Sequence, residues 1–178
     1  MLKKNPEKAD EVLLRMAEEI CVAIRTAPKA KGIDNLTTMI LTGAEKDKLA
    51  EKMEEIAGKY DHKGFIRDAD NVKQAQALIL LGTKIEPVNL KICGICGFKN
   101  CAENKARNGV CVFNAHDLGI AVGSAVSKAM DLRIDNRVMY SIGWAAREMN
   151  LLGEEIKIIM GIPLSVTGKS PFFDRKPL

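Results

Sequence analysis

Apolar positions recur along this chain in two rhythms. Spacings of three and four place Leu13, Met16, Ile20, Ile24 and Ala27 on one stripe, which predicts an amphipathic helix over residues 7–27, ended by Pro28. A second stripe, Leu49, Met53, Ile56 and Ala57, predicts a helix that opens at Thr42 and stops near Gly58. Thr42 and Glu45 have the spacing of a capping box. Between the two helices, residues 36–41 are short and β-rich and read as a strand. A polar loop over 61–67 and a short helix near 69–76 lead to a second buried strand at 77–81, ended by Gly82. Pro87 then turns the chain into a brief extended piece at 88–92.

The second half repeats the alternation. Asn114, with Asp117 three residues on, predicts a helix to about Leu132, whose Ile120, Ala121, Val122, Ala125, Val126 and Ala129 cover nearly the whole circumference and make it central. Gly119 and Gly123, four apart, would let another backbone approach closely. Asp135 or Asn136 caps a further helix through Met139, Ile142, Ala145, Ala146 and Met149, closed by Gly153. Residues 156–162 form an apolar strand, and an extended arm follows at 163–178. Three or four short strands interleaved with five helices predict a single α/β or α+β domain over 1–178.

Composition narrows the class. With 178 residues, 47% hydrophobic and 28% charged, the chain can bury about 70% of its unfolded surface and needs no staple to hold a core. No apolar run approaches the roughly 20 residues of a membrane span. The net charge of +4, from 27 basic and 23 acidic residues, is too mild and too evenly spread for a nucleic-acid footprint. The lysines near Met1 are followed by no signal-peptide core, which predicts a cytoplasmic protein. In that reducing compartment, clustered thiols read as metal ligands rather than disulfides.

Four of the five cysteines, Cys93, Cys96, Cys101 and Cys111, fall within 19 residues in the pattern C-x2-C-x4-C-x9-C. Soft thiolates at this spacing can converge on a soft metal. Gly94 and Gly97 relax the backbone there, and Ile92, Ile95, Phe98 and Val110 are placed to form an apolar shell over a metal loop at 92–112. Zinc sites with four thiolates usually split into two well-separated pairs. Three close cysteines with one apart fit an iron–sulfur cluster better, and four ligands in one loop favour [4Fe-4S]. Structural zinc stays open as the alternative. The fifth thiol, Cys21, lies on the stripe of the first helix and reads as core. His116 is either a neighbour to the metal loop or a plain helix-start histidine. Gly168, Lys169 and Ser170 imitate the end of a phosphate loop, but Pro163 stands where its first glycine belongs.

The cysteine segment 93–111, the run from Asp135 to Gly143 and the ending from Gly161 to Arg175 resemble the uncharacterised prokaryotic family of ferredoxin domain-containing proteins. The likeness extends to residues 25–38. It implies a [4Fe-4S] cluster on Cys93, Cys96, Cys101 and Cys111 and leaves the reaction open. Separately, a cluster with every iron ligated by cysteine has no open position for substrate, which points to one-electron transfer with an unidentified redox partner. More distantly, Ala27-Pro28, the strand and helix after it, the helix from Asp117 and the strand end at Gly161-Ile-Pro163 resemble the nitroreductase superfamily. That resemblance implies an α+β (α/β/α) fold, a small mixed sheet flanked by helices, in a homodimer with FMN at the subunit interface. The cluster would then feed electrons to the flavin. Nothing before Arg15 matches the superfamily's phosphate clamp, which leaves Lys169 and Arg175 as the cations for a flavin phosphate.

Overall fold

A computed structural model of the protein describes residues 9–173. Four strands, β1 (Leu36–Thr42), β2 (Ala77–Lys84), β3 (Asp135–Asn136) and β4 (Ile156–Ser165), form one sheet in the order β1-β2-β4-β3. Every pairing is antiparallel, so the sheet expected to be mixed is purely antiparallel among the described residues. Among the described residues there are six α-helices, α1 (Ala9–Thr26), α2 (Gly43–Tyr60), α3 (Lys63–Gln74), α4 (Cys101–Ala106), α5 (Val112–Asp131) and α6 (Tyr140–Glu148), of which all but α4 pack on the sheet.

The period of two along β2 sorts its side chains into two cores. Leu78 and Leu80 face α2, α3 and α6, meeting Leu49, Met53, Ile56, Phe65, Val72 and Ile142. Ala77, Ile79 and Leu81 face α1 and α5, meeting Leu13, Ile20, Ile24, Leu118, Ala121 and Ala125. A strand covered on both faces has no polar positions to spare, which is why this segment is a near-continuous apolar run. Each fully buried leucine contributes about 2 kcal/mol of transfer free energy. The layers are helices, sheet, helices: the α+β (α/β/α) class.

One helix sits unusually close to the sheet. A Cβ on Gly143 of α6 would land on the Ile159 carbonyl of β4, and one on Gly161 of β4 would strike the Ile142 side chain. Two glycines therefore set the distance between α6 and β4. Pro163 is tolerated inside β4 because its nitrogen points to the same edge as that of Gly161, where β3 stops short.

Several local expectations need correction. Thr42 precedes α2 in extended conformation, but its side chain makes no capping hydrogen bond, and α2 continues past Gly58 to Tyr60. The loop expected at 61–67 is largely helix: α3 begins at Lys63, capped by His62 Nδ1 accepting from the Gly64 amide, and Phe65 carries its first turn into the core. Asp135 and Asn136 pair with β4 rather than capping a helix. The strand expected to end at Ile162 runs on to Ser165, and 88–92 forms no strand. Gly119 and Gly123 face open space within the chain instead of a neighbouring backbone. Among the described residues, no helix is long and apolar enough to cross a membrane.

Candidate metal centre

The chain leaves β2 at Lys84 and enters α5 at Val112, and the segment between them carries Cys93, Cys96, Cys101 and Cys111. The segment is pinned where it begins and where it ends by one side chain: Asn114, in the first turn of α5, accepts from the Glu86 amide at 3.0 Å. The Glu86 carboxylate meets Lys105 of α4 at 3.3 Å. Cys93 and Cys96 lie in the turns that follow, where Gly97 adopts φ +85° and its amide donates to the Gly94 carbonyl at 3.0 Å.

Cys101 is the first residue of α4. That short helix starts here because its N-terminus is satisfied locally. The Asn100 side chain accepts from the Glu103 amide at 2.9 Å, and the Glu103 carboxylate accepts from the Lys99 amide at 2.8 Å. Cys111 is the residue before α5 and is buried, whereas Cys93, Cys96 and Cys101 are half-buried.

Asn104 joins the parts. It is 1% exposed, and its Nδ2 donates to Cys96 Sγ at 3.4 Å and to the Val110 carbonyl at 3.2 Å. One amide thus ties the Cys93–Cys96 turn to the residue beside Cys111. Gly109 makes room for this: a Cβ there would overlap the Phe98 ring and lie 2.9 Å from Asn104 Nδ2.

The donor set suits a thiophilic metal, and the loop holds buried amide atoms still without partners, Asn104 Oδ1 and Asn114 Nδ2. Among the described residues, no three His, Cys, Asp or Glu side chains are grouped closely enough to hold an ion, so the four sulfurs share a loop without meeting at one centre. The expected apolar shell is only partly there. Phe98 packs against Gly109, but Ile92 is 91% exposed, Ile95 70% and Val110 43%. Ile92 and Ile95 stand largely in solvent, and Val110 is covered over little more than half its surface.

The remaining candidates lie elsewhere. Cys21 is half-buried on α1 beside Thr38 of β1; burial pushes its thiol up, and the Thr38 hydrogen bond only partly opposes this. A raised thiol is a poor nucleophile and a poor ligand, in keeping with a packing role. His116 is exposed, its Nδ1 3.6 Å from Asp117. Asp117 itself is buried and accepts from the Ala30 amide through both oxygens, at 3.2 and 3.1 Å. That carboxylate fastens the loop after α1 to α5, a role the sequence did not reveal. Lys169 is exposed beside a cavity of about 310 Å³ that Gln74, Thr167 and Ser170 also line. Arg175 lies outside the described residues.

Comparison with known proteins places these features in context. Residues 107–175 match a family model described as an uncharacterized protein containing a ferredoxin domain, a span that takes in Cys111 but not the other three ligand candidates. An uncharacterized protein of Archaeoglobus fulgidus is 45% identical over 161 residues, covering 86% of each chain. Among solved structures, the nitroreductase CinD from Lactococcus lactis in complex with chloramphenicol matches with TM-score 0.64 and 18% identity over 93% of this chain and 83% of its own. The FMN-dependent nitroreductase NfnB from Mycobacterium smegmatis in complex with NADPH matches at 0.59 and 13%, over 89% of this chain and 81% of its own. The hypothetical oxidoreductase YcnD from Bacillus subtilis matches at 0.56 and 17%, over 88% of this chain, which spans only 58% of YcnD. At these identities the likeness establishes the nitroreductase-like fold.

Proposed function

We propose that this chain, which belongs to the family of uncharacterised proteins containing a ferredoxin domain, binds one [4Fe-4S] cluster through Cys93, Cys96, Cys101 and Cys111 and serves one-electron transfer. The observation that carries the reading is the construction of the loop. Its four thiols come from a turn, a helix start and a helix entry, with Asn104 and Asn114 tying the parts of the segment to one another. A cluster bound there supplies a one-electron couple. The chain's own residues do the rest. Asn100 and Glu103 fix the direction of Cys101, Asn114 holds the ends of the loop together, and Gly97 bends the turn that carries Cys96. Four cysteine ligands leave no open position for substrate, so transfer to a separate redox partner is the favoured role. Such thiols stay reduced in the cytoplasm, the proposed location.

A second reading rests on the fold. The FMN-dependent nitroreductase among the structural relatives favours a flavin here too, fed by the cluster, in a homodimer. The open face of α5 at Gly119 and Gly123 suits the close approach of a second copy. Lys169, beside its cavity, and Arg175 are the cations proposed for the flavin phosphate.

The optical spectrum of anaerobically purified protein tests both. A brown sample whose broad violet absorbance bleaches with dithionite supports the cluster; a colourless protein containing zinc overturns it in favour of a structural site. If denatured protein releases no flavin and added FMN leaves the Tm unchanged, the second reading fails.

A further inference from the structure

We infer that Asn104 is a positioning residue for the metal centre, donating an N–H···S hydrogen bond to the Cys96 sulfur that holds the bound cluster's reduction potential up. The inference rests on the cluster reading above and extends it to a residue that is not itself a ligand. Asn104 is a buried polar side chain, with 1% of its surface exposed, in a loop whose Ile92 and Ile95 are largely exposed. Burying an amide costs free energy unless its hydrogens find acceptors. Here both are used: one meets the Val110 carbonyl at 3.2 Å, the other Cys96 Sγ at 3.4 Å. The carbonyl can only accept, so the side-chain nitrogen must lie on this side, and the contact to sulfur follows as a donor's contact.

The backbone around Asn104 makes this orientation hard to change. Its amide donates to the Asn100 carbonyl at 3.1 Å, its carbonyl accepts from the Gly109 amide at 2.8 Å, and Gly109 and Phe98 close the space beside it. The donor is therefore in place before any metal arrives. A hydrogen bond to a ligand sulfur stabilises negative charge there. Reduction of a four-thiolate cluster adds negative charge, so the reduced state gains more than the oxidised one. Without the donor, the couple moves to lower potential.

The test compares the wild-type chain with Asn104→Ala and Asn104→Asp, each reconstituted anaerobically with iron and sulfide. Potentials are read by EPR-monitored titration at equal iron content, and the Tm of each metal-free chain is measured in parallel. The expected result is a more negative potential for both variants, a tenfold weakening of reduction corresponding to about 59 mV for one electron. An unchanged potential in variants that load iron overturns the inference and leaves the cluster reading intact. A wild-type chain that takes up no iron overturns both. Should neither variant load, wild-type protein labelled with ¹⁵N at the asparagine side-chain amide decides. Pulsed EPR of its reduced cluster is expected to show a coupled nitrogen, and its absence rejects the hydrogen bond.

Discussion

The sheet-and-helix body and the cysteine loop are built on opposite terms. In the body, Leu78, Ile79, Leu80 and Leu81 are wholly buried, every strand has a partner, and two cores sandwich the sheet. In the loop between β2 and α5, Ile92 and Ile95 stand in solvent, Val88 is buried, and much of the order comes from asparagine and glutamate side chains and short turns. Hydrophobic burial holds the body whatever the loop does. The loop has far less of that reserve, with Val88 and Cys111 buried near its two ends; a metal bound as proposed above would add to it. The difference is between a body held by buried apolar surface and a segment held mainly by side-chain hydrogen bonds and turns.

Substitutions can break or sharpen this contrast. The largest effect is expected in the body. Leu80→Ala empties a site with no exposed surface and is expected to cost about 3 kcal/mol in urea unfolding, while the folded fraction keeps its full iron content. A proportionate iron loss per folded chain would mean that core and loop are coupled. Next comes Gly109→Ala, which pushes a methyl into Phe98 and Asn104. It is expected to lower iron binding severalfold and to shift the metal-free Tm by less than Leu80→Ala does; a larger shift would place Gly109 in the body's core. The smallest effect belongs to Ile92→Ser. An isoleucine 91% exposed has little burial to lose, so metal-free stability is expected to change by no more than about 0.5 kcal/mol. A clear destabilisation would show that Ile92 is covered in solution.

The same contrast governs what could be read from the chain. The apolar stripes of α1 and α2 and the runs of β1, β2 and β4 were legible because burial on a periodic element leaves a periodic trace. β3 was not, because two residues carry no period; its place is set by pairing to Leu164 and Ser165. The start of α3 was hidden behind Lys63 and Gly64, where a histidine side chain replaces a standard cap. In the loop, the cysteines announced themselves by type and spacing, but their supports did not. The Asn100 and Glu103 pair does carry a capping pattern that predicts a helix start, and that would have put Asn104 one turn beyond Cys101. That Asn104 reaches both Cys96 and Val110 depends on the path of the chain, for which local sequence holds no signal. Asp117, binding a backbone amide 87 residues away, was invisible for the same reason.

The central claim, that the loop's four cysteines hold an iron–sulfur cluster, is tested most directly by iron, sulfide and zinc analysis of anaerobically isolated wild-type, Cys101→Ser and Cys21→Ser chains. The expected result is about four iron and four sulfide per wild-type chain, the same for Cys21→Ser, and near none for Cys101→Ser. One zinc without iron in the wild type, or equal iron loss in both variants, would contradict it.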